Sequence, residues 1–154
     1  MLLRGIAVIS ALLSCMIVAL CDMTFWLLPV LFAALWLGLV VLAFLFLCLL
    51  CAFVDLDKPQ EEDSKVYRFF MYLYIEALIS LVGLKVETAG LEKTPEDGRF
   101  LLVCNHQNEG DPGILMHYFK KNQLAFIGKK ETRDMFVVGK FMHKTLCQMI
   151  DREN

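Results

Sequence analysis

Charge is distributed so unevenly along this chain that it cannot fold as one water-soluble globule. Residues 1–54 contain only two charged side chains, Arg4 and Asp22, and every other Lys, Arg, Asp and Glu lies after position 54. The first uncharged run, residues 5–21, has 17 residues. As an α-helix at about 1.5 Å per residue it spans roughly 25 Å, slightly less than a bilayer's hydrocarbon core. Leu2, Leu3 and the snorkelling stem of Arg4 make up the difference. The second run, residues 23–54, has 32 residues, more than one crossing requires, and Pro29 stands where a helix can begin. The pattern predicts two transmembrane helices, at about 4–22 and 29–53, with Trp26 near the interface.

A cleaved signal is the rival reading of the first run, because Arg4 precedes an apolar stretch and Leu12-Leu13-Ser14-Cys15 loosely resembles a lipoprotein cleavage site. Cleavage there leaves an apolar core of only about seven residues, at the low limit for such a signal, so a helical hairpin is favoured. The inter-helix loop carries Asp22 and no Lys or Arg, whereas Arg4 and the remaining basic residues flank the other ends. Both ends are therefore expected on the cytoplasmic side of the cell membrane.

The net charge of -2 and the absence of a basic stripe exclude nucleic acid as an expected partner. Of six cysteines, Cys15, Cys21, Cys48 and Cys51 lie in apolar runs, and only Cys104 and Cys147 fall in the polar part. No disulfide framework is expected, and the Cys48-x-x-Cys51 spacing, without a second pair or a nearby histidine, reads as small residues in a membrane helix.

Residues 55–65, DLDKPQEEDSK, hold seven charges and Pro59 and predict a solvated linker. The domain organisation that follows is a membrane anchor over 1–54, a linker over 55–65 and a polar domain over 66–154. Ser64 is placed to N-cap a helix running to about Val82, where Gly83 supplies a left-handed stop. That helix is rich in aromatics and apolar nearly all round, which suits both the membrane interface and packing on a following sheet. Residues 84–88 alternate as a half-buried strand does, and Pro95 with Asp97-Gly98 marks a turn. Residues 100–104 form an apolar run expected as a strand covered on both faces. Asp111-Pro112 predicts a helix to about Lys120, with residues 124–127 and 147–150 as further strands. The fold class expected is α/β: a transmembrane helical hairpin followed by an incomplete mixed or parallel sheet with crossover helices.

The stretch 104–112, CNHQNEGDP, carries the chemistry. It places His106 just past an apolar strand and Asp111 at the next helix start, where open parallel sheets put their active sites. A histidine acts as a base when one ring nitrogen is held protonated and the other is left free, and a carboxylate within turning distance does this. Four intervening residues, including Gly110, let the loop fold back. Alternatives weigh less: a plain helix cap for Asp111, a thiol-histidine dyad of Cys104 and His106 disfavoured by burial of the thiol, and a two-ligand metal site of His143 and Cys147 without partners.

Residues 90–112, GLEKTPEDGRFLLVCNHQNEGDP, resemble the first motif of the glycerolipid acyltransferases, Asn-His, four residues, then Asp, commonly followed by Pro. Lys129-Lys130-Glu131 and Ile150-Asp151-Arg152-Glu153-Asn154 are similar to later segments of the lysophosphatidic acid acyltransferases, so the resemblance covers about residues 64–154. It departs where Leu146 and Met149 replace a usual glycine and aromatic, and where Asn108 replaces a common serine. The third motif, Phe-Pro-Glu-Gly-Thr-Arg, and the fourth do not occur before Asn154, so the chain is expected to be the N-terminal part of such an enzyme, with little activity alone. The resemblance implies transfer of a fatty acyl group from coenzyme A or acyl carrier protein, as co-substrate and with no cofactor, to lysophosphatidic acid. His106 is then the general base, Asp111 the group that orients it, and Arg152 and Asn105 bind substrate, Arg152 through the acceptor's phosphate. Another lysolipid or glycerol 3-phosphate as acceptor, or a non-catalytic membrane protein, are the rival functions.

Overall fold

The structure, a computed structural model, describes residues 1–95, 98–105 and 108–151. The expectations placed on Asp97, His106 and Arg152 lie outside the described residues.

Two long apolar helices, α1 (Leu2–Leu20) and α2 (Leu28–Ala52), pack against each other as a hairpin. Both are long and apolar enough to cross a membrane, and their bounds fall within two residues of those read from the sequence. The face α1 turns inward carries Ile6, Ser10 and Ser14, four residues apart, with both serines fully buried. The Ser10 and Ser14 hydroxyls donate to the carbonyls of Ile6 (2.8 Å) and Ser10 (2.7 Å), so no polar atom is stranded while the small side chains admit α2 closely. Asp22 turns the chain at φ 50°, a left-handed conformation that Asp tolerates better than most residues. A single 3₁₀ turn, Phe25–Leu27, then leads into α2, leaving Trp26 exposed at the hairpin tip.

The end of α2 also belongs to the core. Leu47 and Cys51 are buried in one cluster with Met71 of α3 (Lys65–Val82), Met116 of α4 (Asp111–Tyr118) and Phe141 of α5 (Val138–Lys144). Along this seam the Tyr67 hydroxyl donates to the Leu50 carbonyl at 3.0 Å, the Tyr74 hydroxyl donates to the Ala43 carbonyl, and Phe46 meets Phe70 edge-on at 5.3 Å. The Leu50 carbonyl lies in the last turn of α2, where the helix ladder leaves carbonyls without a partner, and the Tyr67 hydroxyl supplies one. Helix α3 begins after Ser64, whose backbone is extended as an N-cap requires although its side chain makes no cap bond. It ends at Gly83, left-handed at φ 67°, as the sequence predicts.

The linker is mostly exposed, yet it is strapped down by the chain's basic residues. Arg133 donates to the Leu56 carbonyl (3.1 Å) and pairs with Asp57 (2.6 Å), Lys140 caps the α2 end through the Val54 carbonyl (2.6 Å), and Lys144 reaches Gln60 (2.7 Å).

The described residues form a mostly helical fold with one small sheet, which corrects the larger sheet expected. Strands β1 (Ile127–Lys129) and β2 (Gln148–Ile150) pair in parallel, with Gly128 opposite Met149. Residues 124–126, expected to open the first of these, precede it as irregular chain. Residues 84–88 and 100–104 are not strands. A strand exists only through its ladder, and neither segment has one among the described residues. The Val86 carbonyl is met by the Tyr118 hydroxyl (3.4 Å), and Leu101 and Val103 are 83% and 80% exposed, the opposite of a doubly covered strand.

Candidate active site

Asp111 opens α4, one position inside the helix, with Gly110 rather than Asp111 at the N-cap. Pro112 follows in the first turn, where its missing N–H costs nothing. The helix is seated on α3: Met116 is 5% exposed in the core, and Gly113 lies against Ile75. The turn ahead of it is tight. Asn108 accepts the Asp111 N–H on its carbonyl (3.1 Å) and the Gly110 N–H on its side-chain oxygen (2.9 Å), while its own N–H donates to the Asp111 carboxylate (3.0 Å). This Asx-type turn explains how an asparagine serves where the resembling family often has serine, since both side chains hydrogen-bond the backbone two residues on.

Asn105 is exposed in irregular chain, and so is Cys104. The burial that disfavoured a thiol at Cys104 from sequence is therefore not observed. Cys147 is buried, its sulfur accepting the Phe126 N–H at 3.2 Å.

The two other segments that carry the family resemblance do come together. The register sets Lys129 beside Ile150, and the next residues pair, Lys130 with Asp151 at 3.0 Å. Two features holding this region were not read from sequence. Arg68, 5% exposed, makes a two-pronged pair with Asp63 (2.7 and 2.8 Å) and donates to the carbonyls of Leu124 (3.0 Å) and Thr145 (3.2 Å), which lie ahead of β1 and β2. Burial works against its charge, but the hydrogen bonds to Asp63 and Tyr72 outweigh that and leave its pKa raised. Leu146, standing where the family usually has glycine, is left-handed at φ 62°. The glycine offered a signal: only Gly adopts that conformation without steric cost.

Residues 85–154 match the model of the acyltransferase family. No curated protein and no solved structure matches the chain. The matched segment contains Asp111, Lys130 and Asp151 and implies an enzyme that works with an acyl donor and an acyl acceptor.

Proposed function

We propose that the protein transfers a fatty acyl group from coenzyme A or acyl carrier protein to the free hydroxyl of lysophosphatidic acid at the cytoplasmic face of a membrane, giving phosphatidic acid. The observation that supports this most is the 108–111 turn within the acyltransferase match, which fixes the Asp111 carboxylate on the Asn108 N–H at the start of α4. In this reading His106 takes the proton from the acceptor hydroxyl as its oxygen attacks the thioester carbonyl. The tetrahedral adduct then expels the thiolate, and the imidazolium returns the proton to it. Asp111 holds the ring in the tautomer that leaves the other nitrogen free, and no protein nucleophile is used. Arg152 and Asn105 engage the acceptor, the guanidinium matching two phosphate oxygens. The hairpin keeps the site at the surface where both the acceptor and the product reside.

The test supplies acyl-CoA and, in separate reactions, lysophosphatidic acid, lysophosphatidylcholine and glycerol 3-phosphate to membranes carrying this chain extended through the third and fourth motifs of the resembling family. Phosphatidic acid is the expected product, and His106→Ala should lose about 10²- to 10⁴-fold in kcat, the range of a general base. Unchanged turnover in that variant overturns the mechanism, and preference for another acceptor overturns the substrate assignment.

A further inference from the structure

The first turn of α1, the C-terminal half of α3 and the end of α4 enclose a recess of about 360 Å³ whose walls include Arg4, Glu76, Ile79, Ser80, Leu84 and His117. Its charges do not cancel. Glu76 is already paired with Lys120 and with the Met1 amino group, each at 3.4 Å, and although its own burial raises its pKa these cations outweigh that and keep it lowered. Arg4 is exposed and has no ion pair among the described residues. His117 Nδ1 is shut off from solvent without a hydrogen-bond partner among the described residues. Burial first, then Lys120, lowers the pKa of this ring against an opposing pull from Glu76, so the ring adds no cation to the wall at pH 7. The recess thus offers one spare guanidinium and one hydroxyl, a pair that suits a singly charged phosphodiester.

Its position selects the source of that phosphate. Arg4 directly precedes the 17-residue uncharged run of α1, so the recess sits where the hairpin enters hydrocarbon. Below and beside it the surface is apolar and exposed, through Val8, Ile9 and Leu12 of α1 and Leu81 and Val82 of α3. An inorganic ion would leave that apolar rim in water, whereas a lipid covers it. We propose that this recess binds the phosphate of a bilayer phospholipid whose acyl chains run down the exposed side of α1. It uses none of the residues of the acyl-transfer reading, and His117 lies six residues beyond Asp111 on α4, roughly 9 Å along the helix.

Native mass spectrometry of the full-length protein in neutral detergent tests this, with short-chain phosphatidylglycerol, diacylglycerol of the same chains and inorganic phosphate as probes. One phosphatidylglycerol per chain should bind saturably and diacylglycerol should not. Arg4→Gln should weaken binding about tenfold, the effect of losing one charge-assisted hydrogen bond. Ser80→Asp, on the exposed side of α3 and outside the hairpin, should do the same by repulsion and decides the matter if Arg4→Gln fails to insert. Lys58→Gln, in the linker, should change nothing. Undiminished binding in both recess variants overturns the site, and inorganic phosphate competing as well as the lipid overturns the lipid assignment.

Discussion

Residues 100–104 and residues 147–150 are both short apolar runs between polar loops, and only the second contains a strand. The difference lies outside the runs. Around β2, the Cys147 N–H is bonded to the Met142 carbonyl (2.9 Å), the Gln148 N–H to the Phe126 carbonyl (2.9 Å), and Arg68 fixes the carbonyls just ahead of both strands. Residues 100–104 have no comparable clamp among the described residues, and Leu101 and Val103 face outward. Hydrophobicity makes a run eligible for a sheet; hydrogen-bonding partners delivered by other elements decide whether it joins one.

Removing the clamp should break this contrast most severely. Arg68→Met keeps the side chain's bulk but leaves Asp63 and two carbonyls without their donor. Breaking a buried pair in this way costs about 3–5 kcal/mol, with the low end expected because the Asp63 side chain stays 20% exposed and can rehydrate. Thermal unfolding in detergent should show this, and proteolysis should reach the 124–150 region first. A midpoint within a degree or so of wild type means that β1 and β2 do not depend on Arg68.

A second break concerns the connection between the strands. A Cβ on Gly139 would collide with the Arg133 carbonyl oxygen and lie 2.8 Å from that of Thr132, both backbone atoms of the 3₁₀ segment Lys130–Asp134. Gly139→Ala therefore has to shift α5 against that segment, at a cost of about 1–3 kcal/mol by overpacking. The same denaturation measurement checks it, with Gly5→Ala, which has open space around it, as the neutral control.

Leu146 allows the opposite experiment, strengthening the ordered side. Left-handed backbone costs a non-glycine residue roughly 1–2 kcal/mol, partly offset in glycine by its larger unfolded-state entropy. Leu146→Gly is expected to raise stability by about 1 kcal/mol or slightly less. A loss of stability would show that the leucine side chain contributes more by packing than its backbone costs.

How much of this was legible follows from what each signal depends on. The hairpin and α3 were read nearly to the residue because long uncharged runs, Pro29 and Gly83 act locally. The start of α4 was legible from Asp111-Pro112, although Gly110 rather than Asp111 caps the helix. Arg68 was not, because an arginine on an amphipathic helix reads as solvated until the chain returns 56 and 77 residues later to supply its carbonyl partners. The strands expected at 84–88 and 100–104 failed for the same reason, since pairing is non-local and periodicity reports only local character.

The smallest expected effect tests the irregular side of the comparison most directly. Leu101 is 83% exposed, so truncating it to alanine removes little buried surface and should change stability by no more than about 0.5 kcal/mol. Were residues 100–104 a covered central strand, the same substitution would cost about 2–5 kcal/mol, because it would remove buried methyl groups and leave a cavity. The two outcomes differ several-fold, well outside the error of a denaturation midpoint. Val103→Ala should agree with it, since Val103 is 80% exposed, while Leu102→Ala should cost more than either because Leu102 is the half-covered residue between them. A large loss in Leu101→Ala with a small one in Leu102→Ala would reverse the assignment of faces and place the run in a sheet after all.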